Sequence, residues 1–148
     1  MAKVPKGGLK KSPTKSSASV GSELSAKDAR KAVRWFQKSL GIADWEIKLS
    51  ISDDPPGWAL GDADDNTMGL CAVSPTYKSA KIWVSEGRAI KNDTTALKTL
   101  YHECLHVVAA DTGIEEGQST SGQEFTWNML GNLLADYYEK IESKIKRK

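Results

Sequence analysis

Strand-like alternation in this chain is confined to one stretch, and helical periodicity lies on both sides of it. No other feature constrains the fold as much. Trp45 to Ser52 (WEIKLSIS) places Trp45, Ile47, Leu49 and Ile51 on one side, as a half-buried strand does. Met68 to Ser74 and Ala80 to Ser85 predict two more strands, joined by a loop containing Pro75. Ahead of them, Ala29, Ala32, Val33, Phe36 and Leu40 recur at helical spacing, between a Ser25 start and a Gly41 stop. Behind them, Ala96, Leu97, Leu100, Leu105 and Val108 predict a helix capped by Asn92 or Asp93 and stopped at Gly113. Phe125, Met129, Leu133, Tyr137 and Ile141 belong to a last, long helix, capped by Ser119 or Ser121 and running to about Lys146. Segregated strands and helices predict an α+β fold with a small sheet of about three strands. The 148 residues suit one domain with one core.

Charge divides the chain further. Residues 1–22 hold five lysines and no acid, and residues 144–148 hold four bases and no acid. The remaining 23–143 carries twelve bases against all nineteen acids. Residues 1–22 show no apolar period and cannot bury enough surface to offset chain entropy, which predicts a disordered basic tail. The folded domain is then 23–143, with 144–148 a short basic tail. Such ends suit weak nucleic-acid contact, although no aromatic side chain is interleaved in 1–22 to stack on bases. No apolar run approaches the roughly 20 residues that span a bilayer, so no membrane partner is expected. The basic N-terminus lacks the apolar segment of a secretory signal. Two cysteines, Cys71 and Cys104, are too few for a disulfide scaffold, and a cytoplasmic setting is expected.

The chemistry-bearing motif is His102-Glu103-Cys104-Leu105-His106, and it contains the only two histidines of the chain. It falls within a predicted helix, where residues four apart are offset by only about 40°. His102 and His106 can therefore present their imidazoles to one metal ion. Glu103 reaches the same side, too close to the histidines to be a comfortable ligand. It is instead placed as a general base for a water that zinc brings to a pKa near 7. Cys104, inside the motif, reads as a small core residue.

A third protein ligand is needed. Asp111 lies roughly half a turn around the helix from His102 and faces away. Glu115 and Glu116 follow Gly113 and would have to fold back. Glu124 opens the last helix, with Asn128 one turn later, where it could orient a histidine. An idealised antiparallel register brings residues near Met129, not Glu124, opposite the motif. Asp62-Ala63-Asp64-Asp65-Asn66 resembles the start of a calcium loop, but Thr67 and Val73 stand where Gly and Glu are required.

His102-Glu103-x-x-His106 on one helix, followed by Glu124 opening a second, resembles the zincin metallopeptidases of the gluzincin type. The chain looks most like their small phage-encoded members, with a distant likeness to SprT-like proteins, over roughly residues 25–140. That resemblance implies a zincin-like fold of N-terminal helix, small sheet, active-site helix and glutamate helix. It implies Zn2+ held by His102, His106 and Glu124, with Glu103 the catalytic base. It further implies an extended peptide or protein substrate paired to an edge strand near Lys81 to Ser85. A phage origin would make the compartment a host cytoplasm. Such enzymes commonly stabilise the oxyanion with a Tyr or His, for which Tyr77, Tyr101 and Tyr137 are candidates.

Other metal chemistries use similar motifs. Peptide deformylases take a cysteine from a Gly-x-Cys segment, and Gly69-Leu70-Cys71 superficially fits, which keeps Cys71 open as the third ligand. The rRNA-maturation metalloproteins need a third His where Thr112 stands. The expected function is a zinc-dependent metallopeptidase. The alternative is a zinc-containing, non-catalytic module that binds nucleic acid or protein through its basic ends.

Overall fold

The computed structural model describes residues 24–114 and 120–146. Helix α1 is Ala26–Ser39, with Ser25 Oγ accepting a hydrogen bond from the Asp28 amide at 3.0 Å. The chain leaves α1 through Gly41 at φ +75°, a conformation that glycine adopts without a Cβ penalty. Strands β1 (Glu46–Ile51), β2 (Gly69–Ser74) and β3 (Ser79–Val84) follow close to their expected places. They form one mixed sheet in the order β1-β3-β2, with β1 parallel and β2 antiparallel to β3. The fold is therefore α+β, as segregation predicts.

The sheet order corrects one expectation. The strand containing Lys81 is the central one, and Ile82, Trp83 and Val84 within it are fully buried. Alternation records which face of a strand is wet, not which strand lies at the edge. Among the described residues, the strand beside the motif helix that keeps an unpaired edge is β2.

Two helix starts also differ from the sequence reading. Residues Glu86–Lys91 form a short helix, α2, capped by Ser85, and the motif helix α3 is Ala96–Thr112. Asn92 and Asp93 close α2 instead of opening α3: the Asn92 side chain donates to Arg88 O, and Asp93 turns the chain at φ +60°. The cap of α3 is Thr95, whose Oγ1 accepts from the Lys98 amide at 3.2 Å. Gly113, at φ +78°, stops α3 as expected. The last helix, α4, is Ser121–Lys146. Thr120, not Ser121, caps it through reciprocal bonds with Gln123, a capping box. Ser119, Glu115 and Glu116 lie outside the described residues, as does the 1–22 tail. Of the 144–148 tail, Lys144 to Lys146 lie in α4, and Arg147 and Lys148 lie outside the described residues.

Helix α3 lies between the sheet and α4 and also meets α1. Ten of its seventeen residues are buried, among them Leu100, Tyr101, Cys104 and Val107. Tyr101 donates its hydroxyl to Ala32 O at 2.9 Å, which ties α3 to α1. Asp111 accepts from Trp45 Nε1 at 2.9 Å, on the side away from the motif. Between Ala96 and Val107 the α3 residues that are not buried form a stripe at Lys98, His102 and His106, spaced by four. Helix α4 packs along that stripe with a seam of Glu124, Asn128, Gly131, Ala135 and Tyr138, alternately four and three apart as helix packing requires. Among the described residues no helix is long and apolar enough to cross a membrane.

Candidate metal centre

The contact between α3 and α4 is very close at one point. A Cβ on Gly131 would lie 2.9 Å from His102 N and 3.2 Å from His102 Cα. Backbone therefore meets backbone, in the register that an idealised antiparallel pair predicts. Glu124 lies seven residues earlier, about two turns along the same seam. Its carboxylate still reaches the motif. Oε1 is 3.0 Å from His102 Nε2, and Oε2 is 3.3 Å from His106 Nε2.

Both imidazoles are thus turned toward one carboxylate. One donor atom from each of His102, His106 and Glu124 lies within 4.8 Å of the others, so the group can hold a metal ion. A tetrahedral zinc with bonds of about 2.0–2.1 Å sets its ligand atoms about 3.3 Å apart, a spacing near those of His102 to Oε1 and His106 to Oε2, which are different oxygens of the one carboxylate. Two nitrogens and one oxygen are also a donor set found at catalytic zinc, which leaves a fourth position open. Cys71 is not part of this group. It sits in β2 opposite Ile82 and packs against the core. The Gly69 that suggested a deformylase motif has a different role. A Cβ there would lie 2.9 Å from Thr99 Cγ2 and 3.3 Å from Glu103 Cγ, so the glycine lets β2 approach α3.

Glu103 is buried, while Glu124 is partly exposed. Burial holds His102 below the usual imidazole value of 6.5. The Glu124 charge, and the hydrogen bonds that the imidazole makes to Glu124 and Asn128, pull the other way without reversing the shift. The neutral imidazole favoured by burial is the form that binds metal. Asn128 thus has the orienting contact expected of it. The shift has a sign for stability. The unfolded chain takes up a proton near pH 6.5, before the folded chain does. The metal-free protein should be fully stabilised by this group above pH 6.5. It should lose that contribution as pH falls from there to the lower folded value. Calorimetric melting against pH should show the decline, and His102→Gln should flatten it.

A cleft of about 420 Å³ opens beside His102 and Glu124, and His106 does not line it. His102, Glu103 and Glu124 line it together with Gly69 of β2 and Asn128 of α4. Most of its remaining wall is polar, including Asn66, Asn92, Asn132 and Lys98. None of the tyrosine candidates for oxyanion stabilisation lines it. Tyr101 is buried against Ala32 O, Tyr77 is exposed in the β2–β3 loop, and Tyr137 lies against Trp35. Spacing could not have shown this, because tyrosines near a motif in sequence can point to any side. Cys104 is fully buried, and burial pushes its thiol pKa up, so it is no nucleophile. The calcium-like loop is self-satisfied, with Asp64 accepting from the Asn66 amide and the Thr67 hydroxyl.

Comparisons of the chain with protein-family models, curated proteins and solved structures find no match.

Proposed function

We propose that this protein is a zinc-dependent peptidase with a minimal, zincin-like site. One observation carries the reading. Glu124 of α4 faces both histidine Nε2 atoms of α3 while the buried Glu103 lines the same cleft. His102, His106 and Glu124 would hold the metal. Bound there, zinc would supply Lewis acidity that acidifies water and polarises a scissile carbonyl. Glu103 accepts the proton of the attacking water and delivers it to the departing amine. The order of N-terminal helix, small sheet, motif helix and Glu124 helix, with the short α2 inserted before the motif helix, supports the zincin-like assignment.

The substrate in this reading is an extended peptide. The cleft is bordered by Met68 and Gly69 at the start of β2, whose outer edge is unpaired in the sheet. An added strand there would run past the metal ligands, held by backbone hydrogen bonds. The alternative of a non-catalytic module using basic ends depends mainly on residues outside those described. A buried carboxylate beside the ligand group favours catalysis over it, since a purely structural site has no use for a base.

The test is proteolysis of an unfolded protein such as reduced casein by the zinc-loaded chain. Cleavage should occur, stop with 1,10-phenanthroline, and return when zinc is restored. A zinc-loaded protein that cleaves no member of a panel of unfolded polypeptides would contradict the reading.

A further inference from the structure

Helix α4 has a second apolar face that stays largely exposed among the described residues, touched at one end by Trp35 of α1, whose ring meets Tyr137. Its seam at Glu124, Asn128, Gly131, Ala135 and Tyr138 turns toward α3. At 100° per residue, Phe125, Met129, Leu133 and Tyr137 fall on the outer side, with Leu130 beside them. These five side chains are 69%, 48%, 60%, 58% and 38% exposed. A helix apolar on two opposite faces is one that is packed on both. With about 200 Å² for each large side chain, the exposed fractions amount to roughly 550 Å². That is near the upper end of the patches found on monomers. With flanking Thr126, Asp136 and Lys140 it approaches the roughly 800 Å² per partner of a stable interface.

The pattern of the face points to its occupant. Phe-x-x-x-Met-x-x-x-Leu-x-x-x-Tyr is symmetric in character about Gly131, with aromatics outside and aliphatics inside. A two-fold axis needs such self-complementarity. In an antiparallel pair centred there, Phe125 of one copy meets Tyr137 of the other, and Met129 meets Leu133. Asp136 falls opposite Thr126, and Lys140 opposite Gly122, so no like charges face each other. The chain's own N-terminal segment is a poor alternative. Residues 1–23 offer only Met1, Val4, Leu9 and Val20 as large apolar side chains, at no helical or strand period. We propose that a second copy of this chain docks on this face, forming a two-fold dimer through antiparallel α4 helices. The inference does not depend on metal or catalysis.

Sedimentation equilibrium of the full chain, metal-free, between about 1 and 100 μM tests it. The expected species is about twice the chain mass of 16.1 kDa. Leu133→Asp should weaken association at least about 100-fold, as expected for an interface centre. Met129→Lys is a second variant of the same kind. Both side chains are exposed, so circular dichroism and unfolding midpoint of the monomer should be retained. Ile90→Asp, at an exposed position on α2, should leave the dimer intact. A wild-type chain that stays monomeric at 100 μM would overturn the proposal. So would a dimer that persists in either folded charged variant.

Discussion

Glu103→Gln is expected to keep the fold and the metal and to lower peptide hydrolysis by about 1,000-fold or more. The replacement is nearly isosteric, which matters because Glu103 is buried and packs against the Gly69 backbone of β2. It removes only the ability to take a proton. General-base catalysis by a positioned side chain contributes about 10²–10⁴-fold. The loss should fall on kcat, since the proposed metal ligands and the β2 edge proposed to bind substrate are untouched. Steady-state kinetics on zinc-loaded wild type and variant, at equal metal content, would measure it. Undiminished turnover would remove Glu103 from the mechanism.

Gly131→Ala is the second large effect expected, and it concerns a residue that touches no substrate. A Cβ at this position meets the backbone of α3 at 2.9 Å, and backbone cannot swing aside. Overpacking of this kind costs about 1–3 kcal/mol. Replacing glycine by alanine within a helix returns up to about 1 kcal/mol of propensity. The steric cost should win, with a net loss of about 1–2 kcal/mol in urea unfolding. Metal affinity should fall further than this global figure suggests. Any outward shift of α4 carries the Glu124 carboxylate away from two histidines that stay on α3. Gly122→Ala is the internal comparison, since a Cβ there meets only Thr120 Oγ1 at 3.9 Å. It should be neutral or slightly stabilising. Equal metal affinity in Gly131→Ala and wild type would mean that α4 is not positioned by this contact.

The elements of this fold are largely visible in local pattern, and their arrangement is not. Three strands and the three long helices follow from apolar period and punctuation. The short helix Glu86–Lys91 spans only six residues and contains Gly87, too short a stretch for an apolar period to show. Asn92 and Asp93 illustrate a further ambiguity, since residues that cap a helix start equally well close the one before it. Sheet order was misjudged for a non-local reason: the resemblance implied an edge strand near Lys81 to Ser85, and only the pairing of β3 with both neighbours makes it central.

The candidate site was legible to a similar depth. His102, Glu103 and His106 follow from spacing on a single helix, which fixes their relative directions. Glu124 against Cys71 depended on the packing of two elements, and spacing alone left both open. The register that weighed against Glu124 is in fact the observed one, with Gly131 against His102. The carboxylate reaches the histidines because Glu124 shares the seam of Gly131 and spans the remaining distance with its side chain. That seam was available in the sequence as Glu124, Asn128, Gly131, Ala135 and Tyr138. It was obscured by the stronger apolar stripe on the opposite face of the helix.

The central claim is that His102, His106 and Glu124 together hold a catalytic zinc. Zinc per chain by elemental analysis tests it most directly, on untagged protein purified without chelator, as wild type and as Glu124→Ala. The expected result is near one zinc per wild-type chain and far less in the variant. A wild type that takes up no zinc even when it is supplied would contradict the account, as would a Glu124→Ala variant that keeps a full complement.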